Sequence, residues 1–538
     1  MTARDGATLL ALPPSAIADR PVATLEDLDT TLDPDAVWVL GPTREPQAFA
    51  RARSAFDAPA FHPPLETGSE GSLKRQPLGD SEIAVTAGIG SLRANSADVS
   101  NTLAEQSDIA ALVCDDVTTT VRPTALETTL EGAGTLADAL PSGQVTTVLS
   151  GSEPAGYDEL WHLEPETGAV RAVEHDLLGG IEPLDENCVS VRLQGAGPVE
   201  GYDRRQSIAS LRLTDDGVDR VDTHKITNFG LEAVSGIGPK TAERLAGRGV
   251  TTRTELLETP VQTLADLPNV GRKGARTMHR HARVLETGDP RRLSGESLPG
   301  EDWHTPPLCV DIETDGLSPT IIWQIGVYDP ATDDYRAFVE RDDPSDPGSV
   351  LEAFCDWLLG VHPDRALLTW NGWRFDYRHL GAFIAKHVPY YADEWESIPK
   401  FDLYLWAVGD DNALLPGRTN KLEAVSDALG YESAGTGLDG AQTAAAYQRF
   451  MRTGDPLEWE RHEAYCEDDC RALWHVYERL RDAPQAESRI DSNRRDSSRV
   501  ETDTASGESA NADSTDRTAD RQPSSEPKKS EQTGLSDF

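Results

Sequence analysis

Val310-Asp311-Ile312-Glu313-Thr314-Asp315-Gly316-Leu317 closes an apolar run with two carboxylates spaced two residues apart. In an extended chain residues i and i+2 share a face, so Asp311 and Glu313 project together while Ile312 turns into the core. Paired carboxylates are a ligand set for a hard divalent cation. On its own an Asp-x-Glu pair is usually just a solvated strand end, but two later segments add donors to it. Asn371-Gly372-Trp373-Arg374-Phe375-Asp376 follows an apolar strand at 366–370, and Tyr465-Cys466-Glu467-Asp468-Asp469 opens a helical run that continues through Leu473, Val476 and Leu480. Tyr465 and Asp469 stand four apart and so share a helix face. Cys466 and Cys470 are also four apart, but no second Cys or His pair with metal-ligand spacing lies nearby, and they read as small packing residues.

Taken together, Asp311, Glu313, Asp376 and Asp469, with Tyr465 four residues before the last, resemble the three motifs of the DEDD 3′–5′ exonucleases of the RNase H-like superfamily, in the variant whose third motif carries tyrosine. The order and spacing of three motifs is far harder to reach by chance than one. The resemblance implies two divalent cations, Mg or Mn, held about 3.5–4 Å apart by an all-oxygen set. It implies that Asp311 bridges both ions, that Glu313 and Asp469 complete the first, that Asp376 serves the second, and that Tyr465 orients the attacking water.

These residues need a sheet and a helix to hold them. Residues 321–328 read as a second strand and 422–430 as an amphipathic helix. Upstream, the charge changes sign: residues 225–292 hold 12 Lys or Arg against seven Asp or Glu, a net of +5 in a chain of net charge −42. Within this stretch, Val234-Ser235-Gly236-Ile237-Gly238-Pro239-Lys240-Thr241-Ala242 and Leu267-Pro268-Asn269-Val270-Gly271-Arg272-Lys273-Gly274-Ala275 both resemble the hairpin of a helix-hairpin-helix motif, the second with Asn269 where glycine is usual. Such hairpins let a phosphate approach the backbone N–H groups of a helix start. The resemblance makes Gly236, Gly238, Lys240, Gly271, Lys273 and Gly274 candidate DNA contacts. A protein-packing role is the alternative for one hairpin; two copies with local positive charge favour DNA binding over packing, and the expected partner is nucleic acid, DNA before RNA.

The 538 residues suffice for about three domains. With 92 acidic residues and only nine lysines among 50 basic ones, the composition points to a halophilic, salt-adapted cytoplasm, where the Debye length falls to about 3 Å and acidic surfaces repel little. Six scattered cysteines give no disulfide framework, and no apolar run reaches the roughly 20 residues of a membrane span. We expect an α/β multidomain chain. Residues 1–223 form an N-terminal α/β or α+β region, 224–292 an all-α tandem helix-hairpin-helix domain, and 293–305 a linker. Residues 306–481 form an RNase H-like mixed β-sheet with flanking helices, and 482–538 a disordered polar tail. In the first region 36–41, 109–114 and 145–150 read as buried strands, 47–56 and 124–140 as helices, and 189–194 and 208–213 as antiparallel strands. Ser150-Gly151-Ser152 lacks the lysine of a phosphate loop and reads as a turn.

The segment Gln532-Thr533-Gly534-Leu535-Ser536-Asp537-Phe538 resembles the peptide by which replication and repair proteins bind the sliding clamp. Gln532, Leu535 and Phe538 carry the likeness, with Leu535 and Phe538 on one side of a helical turn; family versions often have two adjacent aromatics. The combined expectation is a metal-dependent 3′–5′ exonuclease acting on DNA in repair or replication. The alternatives are an RNA-directed or structure-specific endonuclease of the same superfamily, and a non-catalytic DNA-binding scaffold, against which the four intact carboxylates speak.

Overall fold

The structure is a computed structural model, describing residues 6–18, 20–41, 45–63, 73–105, 109–122, 127–164, 170–173, 187–199, 206–214 and 217–484. Two sheets build the N-terminal region. The first runs Gly217–Lys225, Ser207–Thr214, Ala7–Leu12, Ala36–Val39, Ala60–Phe61, with its last three strands parallel. Its strands are apolar without a break because both faces are covered. Leu9, Ala11 and Trp38 meet Ile83, Val113 and Leu149 of the second sheet, while Leu10, Leu12, Val37 and Val39 meet the helices Val22–Leu32 and Pro46–Ala55. The second sheet has seven strands, of which Ser81–Val85, Ile109–Val113, Val145–Pro154 and Val189–Gly197 are neighbours and parallel, so 189–194 is antiparallel only on its other side, to Asp158–Leu163.

Two local readings of this region are corrected. Only the second half of 124–140 is helical: Glu127–Leu130 pairs with Thr119–Arg122 as a hairpin, and the helix Ala133–Ala139 begins after Gly132, which takes φ 78°. The threonine-rich stretch suits a strand, and a left-handed glycine resets the chain direction. Ser150-Gly151-Ser152 is not a turn but part of the strand Val145–Pro154. Gly151 is required there because an added Cβ would lie 1.9 Å from Asp115 Oδ1.

Every regular element in residues 226–287 is helical, as expected. The helices Pro239–Ala246, Arg253–Glu258, Val261–Ala265 and Gly271–Thr287 close around Leu231, Ile237, Leu245, Leu256, Leu264 and Met278. Asn269 takes the left-handed seat, at φ 68°, that Gly236 takes at φ 86° in the first hairpin. Asparagine tolerates that conformation better than most side chains, so the departure from glycine leaves the hairpin intact.

The last unit is a mixed five-stranded sheet, ordered Asp334–Val339, Ile322–Asp329, Leu308–Thr314, Leu367–Thr369, Lys400–Asp402. Period two divides the central strand. Leu308, Val310 and Ile312 pack with the helices Ser349–Val361 and Asp376–His387. On the other face Cys309 packs against Cys470, Leu473, Val476 and Leu480 of the helix Trp459–Arg481. Asp311 and Glu313 share that second face, so the sheet itself aims both carboxylates at this long helix. Residues 293–305 are tied to this unit: Arg291–Arg292 pairs with Ala413–Leu414, and Leu298 is buried beside Cys309 and Leu429.

Candidate metal centre and nucleic-acid grip

Asp311 stands opposite Gly326 on the neighbouring strand. That glycine sets how close the long helix can come, since a Cβ on Gly326 would lie 2.5 Å from Cys466 Sγ and 2.7 Å from the Tyr335 hydroxyl. With the helix seated, ligand atoms of Asp311, Glu313 and Cys466 fall within 4.8 Å of one another. The Cys466 thiol donates to Asp311 Oδ2 at 3.3 Å. Burial, then the contact with Cys470 and the Asp311 charge, pushes this thiol well above its usual range. As a thiol donor it orients Asp311. Cys466 is the packing residue expected, with a polar duty that its sequence position did not suggest.

The same helix presents Tyr465 and Asp469 one turn apart, with the Tyr465 hydroxyl acting to lower the Asp469 carboxylate. Tyr465 itself is pushed well up by burial and by the charges of Asp469, Glu313 and Asp311. The adjacent Asp468 points elsewhere. It accepts from the Tyr431 hydroxyl and the Ala434 N–H, each at 2.9 Å.

Asp376 arrives from the third direction, in the first turn of the helix Asp376–His387. The turn before it is held tightly: Asn371 takes φ 66°, and a Cβ on Gly372 would lie 1.9 Å from Thr369 Oγ1. Buried Asp402 fastens this turn by accepting the N–H groups of Asn371, Trp373 and Leu405, each at 3.0 Å. The backbone N–H groups of Asp376 and of Ile312, the residue between Asp311 and Glu313, act to lower the Asp376 carboxylate against its burial. Asp402 was missed in the sequence because three backbone contacts leave no spacing signature. Changing it to Asn puts an NH2 group against one or more of these N–H donors, and we expect kcat to fall about 10–100-fold, the cost usual for losing an outer support of a metal ligand, while the melting temperature changes little. Steady-state rates beside thermal melts check this.

The four carboxylates burden one another. Burial, then Asp469 and Asp376, pushes Asp311 well above the carboxylate range, and burial with Asp311, Asp469 and Asp376 does the same to Glu313. Burial lifts Asp376 to about 7, helped by Asp402 and Asp469, and lifts Asp469 to about 7, helped by Asp468 and Glu423 against the Tyr465 hydrogen bond. Among the described residues no Lys or Arg pairs with any of the four. A buried acidic set with oxygen donors and no protein counter-charge fits a hard divalent cation.

The hairpins form a separate site. A cleft of about 450 Å³ lies between them, lined by Gly236, Lys240, Arg244, Asn269, Gly274 and Met278 among others. Arg244 Nη1 donates to Pro268 O at 3.3 Å and so joins one hairpin to the other. Gly238, Gly271 and Lys273 are exposed beside the cleft rather than lining it. Lys240, Arg244, Arg272, Lys273, Arg276 and Arg280 are exposed and make no ion pair among the described residues. Gln532, Leu535 and Phe538 lie outside the described residues.

Carboxylate cluster and paired hairpins are now both placed. Residues 308–481 match the RNase H superfamily. Residues 230–283 match the SAM-like helix-hairpin-helix tandem. No curated protein gives a significant match to the chain. The chain thus carries an RNase H superfamily domain preceded by a tandem helix-hairpin-helix domain, an assembly that fits a nuclease acting on nucleic acid. No helix among the described residues is long and apolar enough to cross a membrane.

Proposed function

We propose that the chain is a divalent-metal-dependent 3′–5′ exonuclease acting on DNA in a salt-adapted cytoplasm. The observation that carries this reading is that Asp311 and Glu313 on the central strand face the helix of Asp469, with Asp376 and Asp469 close enough to raise Asp311 and Glu313, and among the described residues no Lys or Arg pairs with any of the four. Bound here, two Mg or Mn ions would activate water and stabilise the leaving oxygen in in-line hydrolysis of a terminal phosphodiester. Asp311, Glu313 and Asp469 would hold one ion, and Asp311 with Asp376 the other. Tyr465, one turn before Asp469, would orient the water by donating or accepting at its hydroxyl. The Cys466 thiol keeps Asp311 in place. Lys240, Lys273 and the hairpin amides hold DNA by its backbone, without reading sequence.

The test is incubation with end-labelled DNA and RNA in molar KCl with Mg or Mn. A 3′ label released at once as mononucleotide from DNA supports the reading. Internal fragments would make the enzyme an endonuclease, preference for RNA would remove DNA as substrate, and intact strands would refute nuclease activity.

Residues Gln532, Leu535 and Phe538 would bring the enzyme to a sliding clamp. Leu535 and Phe538 each bury apolar surface worth roughly 1.5–3 kcal/mol, partly offset by ordering of the segment, so micromolar affinity is expected. Calorimetry in molar KCl with a synthetic peptide of residues 532–538 and the clamp of the same organism should show binding, lost when Leu535 and Phe538 become Ala. Equal heats from both peptides would remove the clamp from the account.

A further inference from the structure

Asp27 lies on the helix Val22–Leu32 of the N-terminal region, far in sequence from both sites. Two arginines meet its carboxylate, each with both fork nitrogens. Arg253, at the start of a helix in the hairpin unit, places Nη2 2.6 Å from Oδ1 and Nη1 2.8 Å from Oδ2. Arg418, in the catalytic unit, places Nη1 2.7 Å from Oδ2 and Nη2 3.0 Å from Oδ1. The Gly230 N–H adds a fifth bond at 2.7 Å. Arg418 also reaches Asn228 O at 3.2 Å and Thr31 Oγ1 at 2.7 Å, and its guanidinium lies 5.0 Å over the Phe229 ring. Gly230 sits so close that a Cβ there would lie 2.5 Å from Thr24 Oγ1.

One carboxylate therefore joins all three parts of the chain. Arg20 with Glu232 at 2.5 Å ties the N-terminal region to the hairpins a second time, and Arg220 with Glu423 at 2.8 Å ties it to the catalytic unit. The Asp27, Arg253 and Arg418 side chains are only 16, 12 and 27% exposed. Bidentate pairs with so little water around them are screened weakly by salt. Although burial alone would raise Asp27, the bonds and charges of Arg253 and Arg418 hold it below the usual range. Removing its charge leaves two guanidinium groups facing each other with only Glu286, 2.7 Å from Arg253 Nε, as a remaining carboxylate partner, which costs more than the loss of one pair.

We propose that Asp27 is a positioning residue that fixes the hairpin grip at one distance and orientation from the catalytic carboxylates, so that the strand length needed to span from grip to site is a constant of the molecule. This assigns the N-terminal region the role of a strut, and it rests on the nuclease reading above. A rigid connection keeps the effective concentration of a gripped strand end at the site high; a loosened one spreads it.

The experiment uses the full chain, as wild type, Asp27→Asn and Arg418→Gln. The substrates are duplexes whose single-stranded 3′ overhang grows one nucleotide at a time. The wild type should show a sharp threshold of kcat/KM against overhang length. Both variants should blur it and lose about tenfold at the threshold length, with unchanged affinity for a blunt, 3′-blocked duplex and unchanged rate on a short single strand. Spin labels at Gln262→Cys and Glu394→Cys give a second readout, selective because all six native cysteines are buried. Their distance distribution should be narrow in the wild type and broad in both variants. The same narrow distribution in Asp27→Asn and Arg418→Gln, or a broad one with an unmoved overhang threshold, would overturn the proposal. A wild type that cleaves none of the series refutes the nuclease reading instead, and the label distances then decide alone whether Asp27 fixes the two units.

Discussion

Changing Asp311 to Asn is expected to abolish metal-dependent cleavage, by at least about 10³-fold or some 4 kcal/mol in the barrier, and at the same time to raise the melting temperature of the metal-free protein at pH 8. Both effects have one origin. Burial and the charges of Asp469 and Asp376 push Asp311 up, so ionising this carboxyl costs the folded metal-free protein more than it costs the unfolded chain. The sign follows from proton counting. Between the unfolded carboxylate value of about 4 and the raised folded values, about 7 for Asp376 and Asp469, the folded state binds more protons than the unfolded state. Stability therefore falls as pH rises through that window and returns as pH falls. Asn keeps the shape, accepts the Cys466 hydrogen bond and carries no charge. Mg added at pH 8 should raise the melting temperature of the wild type by binding the folded state alone, and should do much less for the variant. Melts at pH 5 and pH 8, with chelator or with Mg, beside cleavage rates, check all of it. A variant that cleaves as the wild type does would remove Asp311 from the centre; one that melts lower than the metal-free wild type at pH 8 would deny the electrostatic burden.

What could be read from the chain before folding was what depends on local period. Asp311 and Glu313 share a face because a strand alternates, and Tyr465 and Asp469 share one because a helix turns every 3.6 residues; in the structure that strand face meets that helix. Asp468, beside Asp469, is taken up by the Tyr431 hydroxyl and the Ala434 N–H. What stayed hidden depends on contacts across the fold. Asp402 is 26 residues from Asp376 and serves backbone donors, and Gly326 matters only because Cys466 and Tyr335 crowd it. Asp27 shows nothing locally, because its two arginines lie 226 and 391 residues away. The misread helix at 124–140 has the same lesson at short range: apolar periodicity continued through a stretch that Gly132 in fact divides.

The second large effect is expected at the hairpins. Gly238→Val with Gly274→Val should weaken binding to duplexes of any sequence at least about tenfold, or 1.4 kcal/mol, while thermal stability is kept. Gly238 has φ −92° and open space where a Cβ would go, and a Cβ on Gly274 would touch Val270 Cγ1 at an ordinary 3.4 Å. Neither site needs glycine for the fold, and Gly274 lies inside the helix Gly271–Thr287, where valine is the better helix former. What the added bulk blocks is the approach of a phosphate to the amides of the hairpin. That contact should dominate in molar salt, because the part of DNA affinity that comes from releasing counterions fades as salt rises. Charge and close approach can then be separated. Lys240→Gln and Lys273→Gln should each lower the slope of log affinity against log salt by about one, with little effect left in molar KCl; the valine pair should lower affinity at every salt concentration and leave the slope nearly as it was. Fluorescence anisotropy with two unrelated duplexes across a salt series measures both. A valine pair that binds as tightly as the wild type in molar KCl would take the hairpin amides out of DNA binding and leave the two hairpins as a packing module between the strut and the catalytic sheet.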